Sequence, residues 1–131
     1  GWDGYKIILP QSPLFNGLNI ENNQVLSIPT TEYDGAPLNG FLDDGTPIID
    51  NDLLGFYKIE LLGYDVSYRN GNKYPTFIAF QKNELSGTII NAASTNWCSD
   101  GIDGIDGEKI KIITFNMINL LLQGESIFQT D

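Results

Sequence analysis

The chain contains no histidine among its 131 residues. Histidine is the side chain whose ordinary pKa lies nearest to neutral pH. It supplies the base in Ser/His/Asp and Cys/His nucleophile systems and binds zinc in many hydrolases. Its absence excludes all three kinds of site. Any chemistry performed by this chain must therefore use carboxylates, tyrosines, lysines, a cysteine thiol or a metal ion held by oxygen ligands.

Cysteine and basic residues are also scarce. The single cysteine, Cys98, excludes an internal disulfide and a multi-cysteine zinc site, and it favours a reducing compartment such as the cytoplasm. Seven basic residues against 17 acidic ones give a formal net charge of −10. Nucleic acid and anionic membrane surfaces are therefore disfavoured as partners, because few cations are present to replace the counterions of phosphate groups.

Long apolar runs are missing too. No run approaches the roughly 18 to 20 apolar residues that span a bilayer, and the opening GWDGYK lacks a basic region followed by an apolar one. Hydrophobic residues make up 41% and charged residues 18%, which is ordinary for a globular domain. We expect residues 1–131 to form a single domain. Because the first residue is glycine rather than methionine, we also expect it to be part of a longer protein.

Turn-forming residues divide the chain into short strand candidates. The pattern predicts strands at 4–10 and 24–31, and Pro29 in the second suits either a sheet edge or the end of a strand. An acidic, glycine-rich loop follows at 35–55, with a hairpin at Asp44-Gly45. The longest strand is expected in FYKIELLGYDVSY, where Gly63 suggests a bulge or a close approach of another backbone. After a turn at RNGNKYP, further strands are expected in TFIAFQK and SGTIINAAS.

One long helix is predicted at 107–123. A helical wheel places most polar side chains of this segment on one arc, and Gly124 is a typical C-terminal stop. A helix this apolar should pack against the sheet. The predicted fold class is α/β, or α+β, with a mostly β central sheet covered by this helix.

The stretch TTEYDGAP places Glu32 and Asp34 either side of Tyr33, after a strand and before a turn. Asp-Gly commonly forms turns, so one interpretation of this stretch is a solvent-exposed acidic turn without a further role. The other is a site at the end of a strand, where a carboxylate can bind a hard metal ion or act as a base. The sequence leaves both open.

The stretch CSDGIDGIDGE offers two further candidates. Its aspartates, Asp100, Asp103 and Asp106, suggest calcium, but they are spaced three apart rather than two as in an EF-hand loop. The alternative is an acidic loop whose last members favour a helix N-terminus. Cys98 at its start is a candidate nucleophile, although no histidine is present to activate it, and the alternative is a structural thiol.

Aromatic residues provide a non-catalytic hypothesis. Trp97 and the tyrosines at 57, 64, 68 and 74 are a candidate platform for stacking sugars, although such residues more often pack strands together. Together with the acidic loop at 35–55, they favour a binding module for carbohydrate or protein as an alternative to an enzyme.

Five stretches, in this order, resemble the C-terminal region of proteins like the large subunit of N,N-dimethylformamidase. They are TTEYDGAP, GFYKIELLGYD, TFIAFQK, SGTIINAASTNWCS and IKIITFNMINLLL. The resemblance spans roughly residues 30 to 122. Its most specific part is a small-residue strand ending in Ser/Thr-x-Trp and followed by the helix.

The resemblance implies a Rossmann-like region related to glutamine amidotransferase domains, in an enzyme that hydrolyses a small amide with an iron ion held by tyrosines and a glutamate. It maps Glu32 to the glutamate ligand, and Asp34 becomes a candidate catalytic residue that orients substrate or water. The iron would polarise the amide carbonyl or activate water.

Two departures from that family limit the expected activity. Its tyrosine ligands would lie upstream of the glutamate, where only Tyr5 is present, and the upstream half of the parallel sheet is missing. The chain alone is therefore expected to be inactive and to need an upstream domain or a second chain as its partner.

Overall fold

The computed structural model describes residues 1–67 and 73–129 and shows a mixed α+β fold. A mostly antiparallel sheet is accompanied by one main helix near the C-terminus, as the sequence predicts. Within the described residues, no helix has both the length and the apolar character needed to cross a membrane. The turn predicted at RNGNKYP falls mostly on 69–72, which lie outside the described residues, as does Tyr68.

In the described part of the chain, seven strands form two sheets. The strands are β1 (Gly4–Ile7), β2 (Val25–Ser27), β3 (Leu38–Phe41), β4 (Pro47–Ile49), β5 (Lys58–Tyr64), β6 (Thr76–Gln81) and β7 (Thr88–Asn91). The five-stranded sheet has the order β2-β1-β5-β6-β7, while β3 and β4 form a separate hairpin. Each strand pairing that the structure describes is antiparallel. A Rossmann-like sheet is mostly parallel, so the Rossmann-like part of the expectation is not confirmed.

Among residues 1–67 and 73–129, four helical segments accompany the strands. They are a 3-10 helix at Pro13–Phe15, α1 at Asn51–Leu54, a π-helical turn at Trp97–Gly101 and α2 at Gly107–Gln123. The predicted helix is confirmed at both ends. Gly124 adopts φ +66° just past it, and its N–H bonds to the carbonyls of the last turn.

Local sequence rules also place several strand features correctly. β2 lies at the edge of the sheet and ends at Ser27, so Pro29 falls just past the strand, which agrees with both interpretations of this proline. The register between β5 and β6 shifts between Leu61 and Gly63, which confirms the predicted bulge. The β3–β4 hairpin turns at Asp44-Gly45, where Gly45 adopts φ +88°.

The core lies between one face of the five-stranded sheet and α2. Tyr5 and Phe77 from the sheet are fully buried, as are Ile110 and Ile113 from the helix. Trp97 is also buried and donates its indole N–H to Thr114 Oγ1 at 2.9 Å. It is therefore packing material and not part of an exposed aromatic platform.

Tyr5 carries a buried hydroxyl that has no hydrogen-bond partner among the described residues. Burial raises the pKa of this phenol, and the negative charges of Asp65 and Asp34 raise the pKa further. The hydroxyl is therefore protonated at neutral pH.

A buried carboxylate, that of Asp65, fastens the beginning of the chain to the sheet. It accepts hydrogen bonds from the Trp2 N–H at 2.8 Å and the Gly4 N–H at 3.4 Å. It also accepts from the Thr30 hydroxyl at 2.6 Å and from the Val66 N–H at 2.7 Å. Asp65 is only 1% exposed, so these four donors take the place of the water that a carboxylate requires.

We predict that Asp65→Ala lowers the free energy of unfolding by about 3 kcal/mol, because it leaves several buried donors without an acceptor. Asp65→Asn should cost somewhat less, since one oxygen remains to accept. Asp43→Ala is the matched control, because Asp43 lies exposed in the β3–β4 turn. Urea unfolding measures all three variants. Equal stability of Asp65→Ala and Asp43→Ala would contradict this account of the carboxylate.

Candidate functional site

The segment containing Glu32 and Asp34 lies across the ends of β6 and β7. Tyr33 forms an antiparallel bridge with Ser94, just beyond β7. The backbone of Asp34 donates to the Ala93 carbonyl at 3.0 Å and accepts from the Thr76 N–H, at the start of β6, at 3.2 Å. Backbone pairing therefore fixes the position from which the two acidic side chains project.

An acidic cleft of about 440 Å³ opens between this segment and the residues that follow β7. Its lining consists of Glu32, Tyr33, Asp34, Asn91, Ala92, Ala93, Ser94 and Thr95. The structure thus brings the predicted metal ligand, Glu32, into the same cleft as the predicted catalytic residue, Asp34. Both residues are exposed. Besides the two carboxylates, amide and hydroxyl oxygens also line the cleft. The described residues contain no group of three or more His, Cys, Asp or Glu able to hold a metal.

The floor of the acidic cleft contains a strained residue. Ala93 adopts φ +62°, a left-handed conformation that is unfavourable for a residue with a Cβ, and it is buried. The side chain of Asn91 supports this conformation by accepting the Ala93 N–H at 2.8 Å.

The other candidates from CSDGIDGIDGE are dispersed. Cys98 is exposed on the π-helical turn, and Asp103 is exposed beyond it. Asp100 accepts from the Asn96 amide at 2.9 Å. Asp106 immediately precedes α2, accepts from the Ser27 N–H at 2.8 Å and lies 3.6 Å from the Lys109 ammonium. Asp100 and Asp106 therefore make separate structural contacts, of which those of Asp106 fix the helix N-terminus.

A second cleft, of about 390 Å³, opens on the face of the sheet opposite the core. We call it the aromatic cleft, and its lining consists of Trp2, Lys6, Phe41, Asp44, Gly45, Tyr64, Val66 and Tyr74. Lys6 on β1 and Tyr64 on β5 are register partners and form its base. The β3–β4 hairpin contributes Phe41 and the turn residues.

Two pairs of rings define the shape of the aromatic cleft. Trp2 meets Tyr64 edge to face, with 5.3 Å between ring centroids, and Phe41 meets Tyr74 at 5.1 Å. The Lys6 ammonium lies 5.1 Å from the centre of the Trp2 ring, within the range of a cation–π contact. Trp2 is 40% and Phe41 47% exposed, so both rings present apolar surface to a ligand.

Polar groups stand beside these rings. The Thr46 N–H donates to the Asp44 carboxylate at 2.9 Å, and this bond lowers the carboxyl pKa. Burial raises the pKa of Tyr64, an effect that its contact with Thr46 partly opposes and the Asp44 charge reinforces. At neutral pH the cleft therefore offers a carboxylate acceptor next to a protonated phenol.

The predicted aromatic platform is only partly correct. Tyr64 and Tyr74 line the aromatic cleft, but Tyr57 does not, and Trp97 is buried in the core. Sequence reasoning missed Trp2 and Phe41. Trp2 could not have been found from strand periodicity, because it precedes β1 and Asp3, between Trp2 and the strand, adopts φ +51°, which breaks the two-residue alternation.

Comparison of the chain with protein-family models, curated proteins and solved structures finds no match. Its function is therefore inferred from the two clefts themselves.

The Ser94 side chain connects the acidic cleft to Pro29, which lies two residues past the end of β2. Its hydroxyl donates to the Pro29 carbonyl at 2.6 Å and accepts from the Asn96 N–H at 3.1 Å. We predict that Ser94→Ala lowers the free energy of unfolding by about 1 to 2 kcal/mol. Ser99→Ala is the control, because its hydroxyl is exposed and makes only a 3.5 Å contact with the Asn96 carbonyl. Urea unfolding of both variants tests this prediction, and equal losses would refute it.

Proposed function

We propose that this chain is a non-catalytic module that binds a neutral carbohydrate in the aromatic cleft. The observation that carries the proposal is the placement of two partly exposed rings, Trp2 and Phe41, around a base that bears charged and hydroxyl groups. Binding sites for small ligands combine apolar lining with a few polar groups that fix orientation, and this cleft has both.

The chemistry of a sugar matches this lining. A pyranose ring has apolar C–H faces that stack on aromatic rings and a rim of hydroxyls that both donate and accept hydrogen bonds. Asp44 can accept and the Lys6 ammonium can donate such bonds. The net charge of −10 disfavours polyanionic sugars, so a neutral oligosaccharide is the expected ligand.

We predict that Trp2→Ala weakens binding of a neutral oligosaccharide by about tenfold or more, because it removes the largest exposed ring of the cleft. Intrinsic fluorescence titration with cellohexaose, xylohexaose and mannohexaose measures this. Trp97 is buried in the core and should respond little, so the binding signal of the unmodified chain should come from Trp2. For the Trp2→Ala variant itself, calorimetry replaces fluorescence.

Tyr57→Ala is the matched control, because Tyr57 is 52% exposed but does not line the cleft. It should leave affinity unchanged. Equal loss of affinity in the Tyr57 and Trp2 variants, or no binding of any neutral oligosaccharide by the unmodified chain, would reject the proposal.

A second candidate function follows from the acidic cleft. We propose that, within a larger protein, Glu32 contributes a carboxylate to the iron site of a dimethylformamidase-like amide hydrolase, with Asp34 orienting a small amide substrate or water. The shared cleft of the two residues favours this candidate. The proposal implies that this domain is related to Rossmann-like glutamine amidotransferase domains. The antiparallel sheet gives no support to that relationship. Two carboxylates do not complete a ligand set, so the remaining ligands would come from an upstream domain or a second chain.

Metal analysis by mass spectrometry tests this second candidate. On this hypothesis the larger protein, or the complex with the second chain, purifies with iron, and Glu32→Ala removes most of it because a charged oxygen ligand is lost. Glu84→Ala serves as the control, since Glu84 is an exposed glutamate elsewhere on the surface. Iron content that is the same in both variants would exclude Glu32 as a ligand.

A further inference from the structure

A further cleft, of about 440 Å³, adjoins the aromatic cleft. We call it the hydroxyl cleft, because carboxylate and hydroxyl oxygens dominate its lining. The side chains that matter here are those of Asp3, Ser27, Thr30, Thr31, Asp65 and Val66. Val66 lines the aromatic cleft as well, and Asp3 follows Trp2 directly in the chain. The two clefts therefore meet at Val66 and at the segment that carries Trp2.

The strand register places both clefts on the same face of the five-stranded sheet. Ser27 on β2 pairs with Gly4 on β1, and two residues further along β1 Lys6 pairs with Tyr64. Positions two apart in a strand point to the same face, and so do directly paired residues on neighbouring strands. Ser27 in the hydroxyl cleft therefore lies on the face that carries the base of the aromatic cleft.

We propose that the two clefts are consecutive subsites for one oligosaccharide chain, so that the ligand is an extended neutral glycan. The extended site rests on the carbohydrate function proposed above for the aromatic cleft. The two volumes, about 390 and 440 Å³, lie toward the lower end of the roughly 300 to 1,000 Å³ typical of small-ligand sites. Neither cleft alone accommodates a long glycan, whereas a chain that stacks on Trp2 and passes Val66 occupies both.

Two groups in the hydroxyl cleft are available to a ligand. Asp3 is exposed, and no described residue donates a hydrogen bond to its carboxylate. The Ser27 hydroxyl likewise has no partner within the described part of the chain, since the bond of this residue to Asp106 is made by its backbone N–H. The carboxylate can therefore accept charge-assisted bonds from sugar hydroxyls, and the serine can donate or accept.

The Thr30 hydroxyl is polarised for the same purpose. Its hydrogen is donated to the buried carboxylate of Asp65 at 2.6 Å, so its oxygen can only accept from a ligand. Donation to a carboxylate makes that oxygen a better acceptor. Among the described residues, no lysine or arginine lines the hydroxyl cleft, so it offers nothing to balance an anionic sugar. Its acceptors suit the hydroxyl rim of a neutral glycan, while the aromatic cleft suits the apolar faces of the sugar rings.

The dependence of affinity on ligand length tests the proposal. Calorimetry compares the oligosaccharides from cellobiose to cellohexaose, and the corresponding series derived from xylan and mannan. Two subsites in series predict that affinity rises by more than about tenfold from disaccharide to hexasaccharide. A single disaccharide-sized site predicts a rise of about fivefold at most, because a hexasaccharide offers it about five binding positions.

A variant of Asp3 assigns the gain to the hydroxyl cleft. Asp3→Asn removes the charge and keeps a side chain that tolerates the φ of +51° at this position. It should weaken hexasaccharide binding by about threefold to tenfold and leave disaccharide binding in the aromatic cleft unchanged. Asp103→Asn is the matched control, because Asp103 is an exposed aspartate that lines neither cleft, and it should change neither affinity. Trp2→Ala should weaken binding of both lengths.

The outcomes separate the extended site from the carbohydrate function on which it rests. A rise of about fivefold or less with length, or equal effects of the Asp3 and Asp103 variants on hexasaccharide binding, would overturn the extended site. The aromatic cleft would keep its function in that case if Trp2→Ala still weakens binding. Failure of every oligosaccharide to bind would reject the carbohydrate function, and the extended site with it. Circular dichroism checks that each variant is folded.

Discussion

The buried carboxylate of Asp65 is the interaction on which the arrangement of this protein depends. It binds the start of the chain through the N–H groups of Trp2 and Gly4, the exit of β2 through Thr30, and its own strand end through Val66. Such a group is expensive to bury, and its cost is offset only while all the donors stay in place. The bond to the Trp2 N–H also sets the position of the Trp2 ring, which is one wall of the aromatic cleft.

The two faces of the five-stranded sheet have different roles. The inner face joins α2 in a core built from large side chains such as Tyr5 and Phe77, so it provides stability. The outer face is covered only in part by the β3–β4 hairpin and provides the cleft.

Sequence rules predicted those features of the fold that depend on neighbouring residues. The helix ending at Gly124, the bulge at Gly63 and the turn at Asp44-Gly45 each follow from a local conformational preference, and each is observed. The pairing of Glu32 and Asp34 in one cleft also follows from their proximity in sequence.

Contacts between distant residues could not be predicted in this way. Asp65 bonds to backbone groups 61 and 63 residues away, and Asp106 bonds to Ser27 across 79 residues. The burial of Trp97 depends on α2 crossing above it, which no local pattern encodes. These contacts decide which of several acidic and aromatic residues form a site and which hold the fold together.

The measurement that tests the central claim most directly is two-dimensional ¹⁵N NMR during titration with a neutral hexasaccharide. The chain has only two tryptophans, so two indole N–H signals report on the two environments. Binding in the aromatic cleft predicts that the Trp2 indole and the amides of Lys6, Phe41 and Tyr64 shift while the Trp97 indole does not. Shifts confined to residues 32–34 and 91–95, with the Trp2 signal unchanged, would contradict binding in the aromatic cleft and would place the ligand in the acidic cleft.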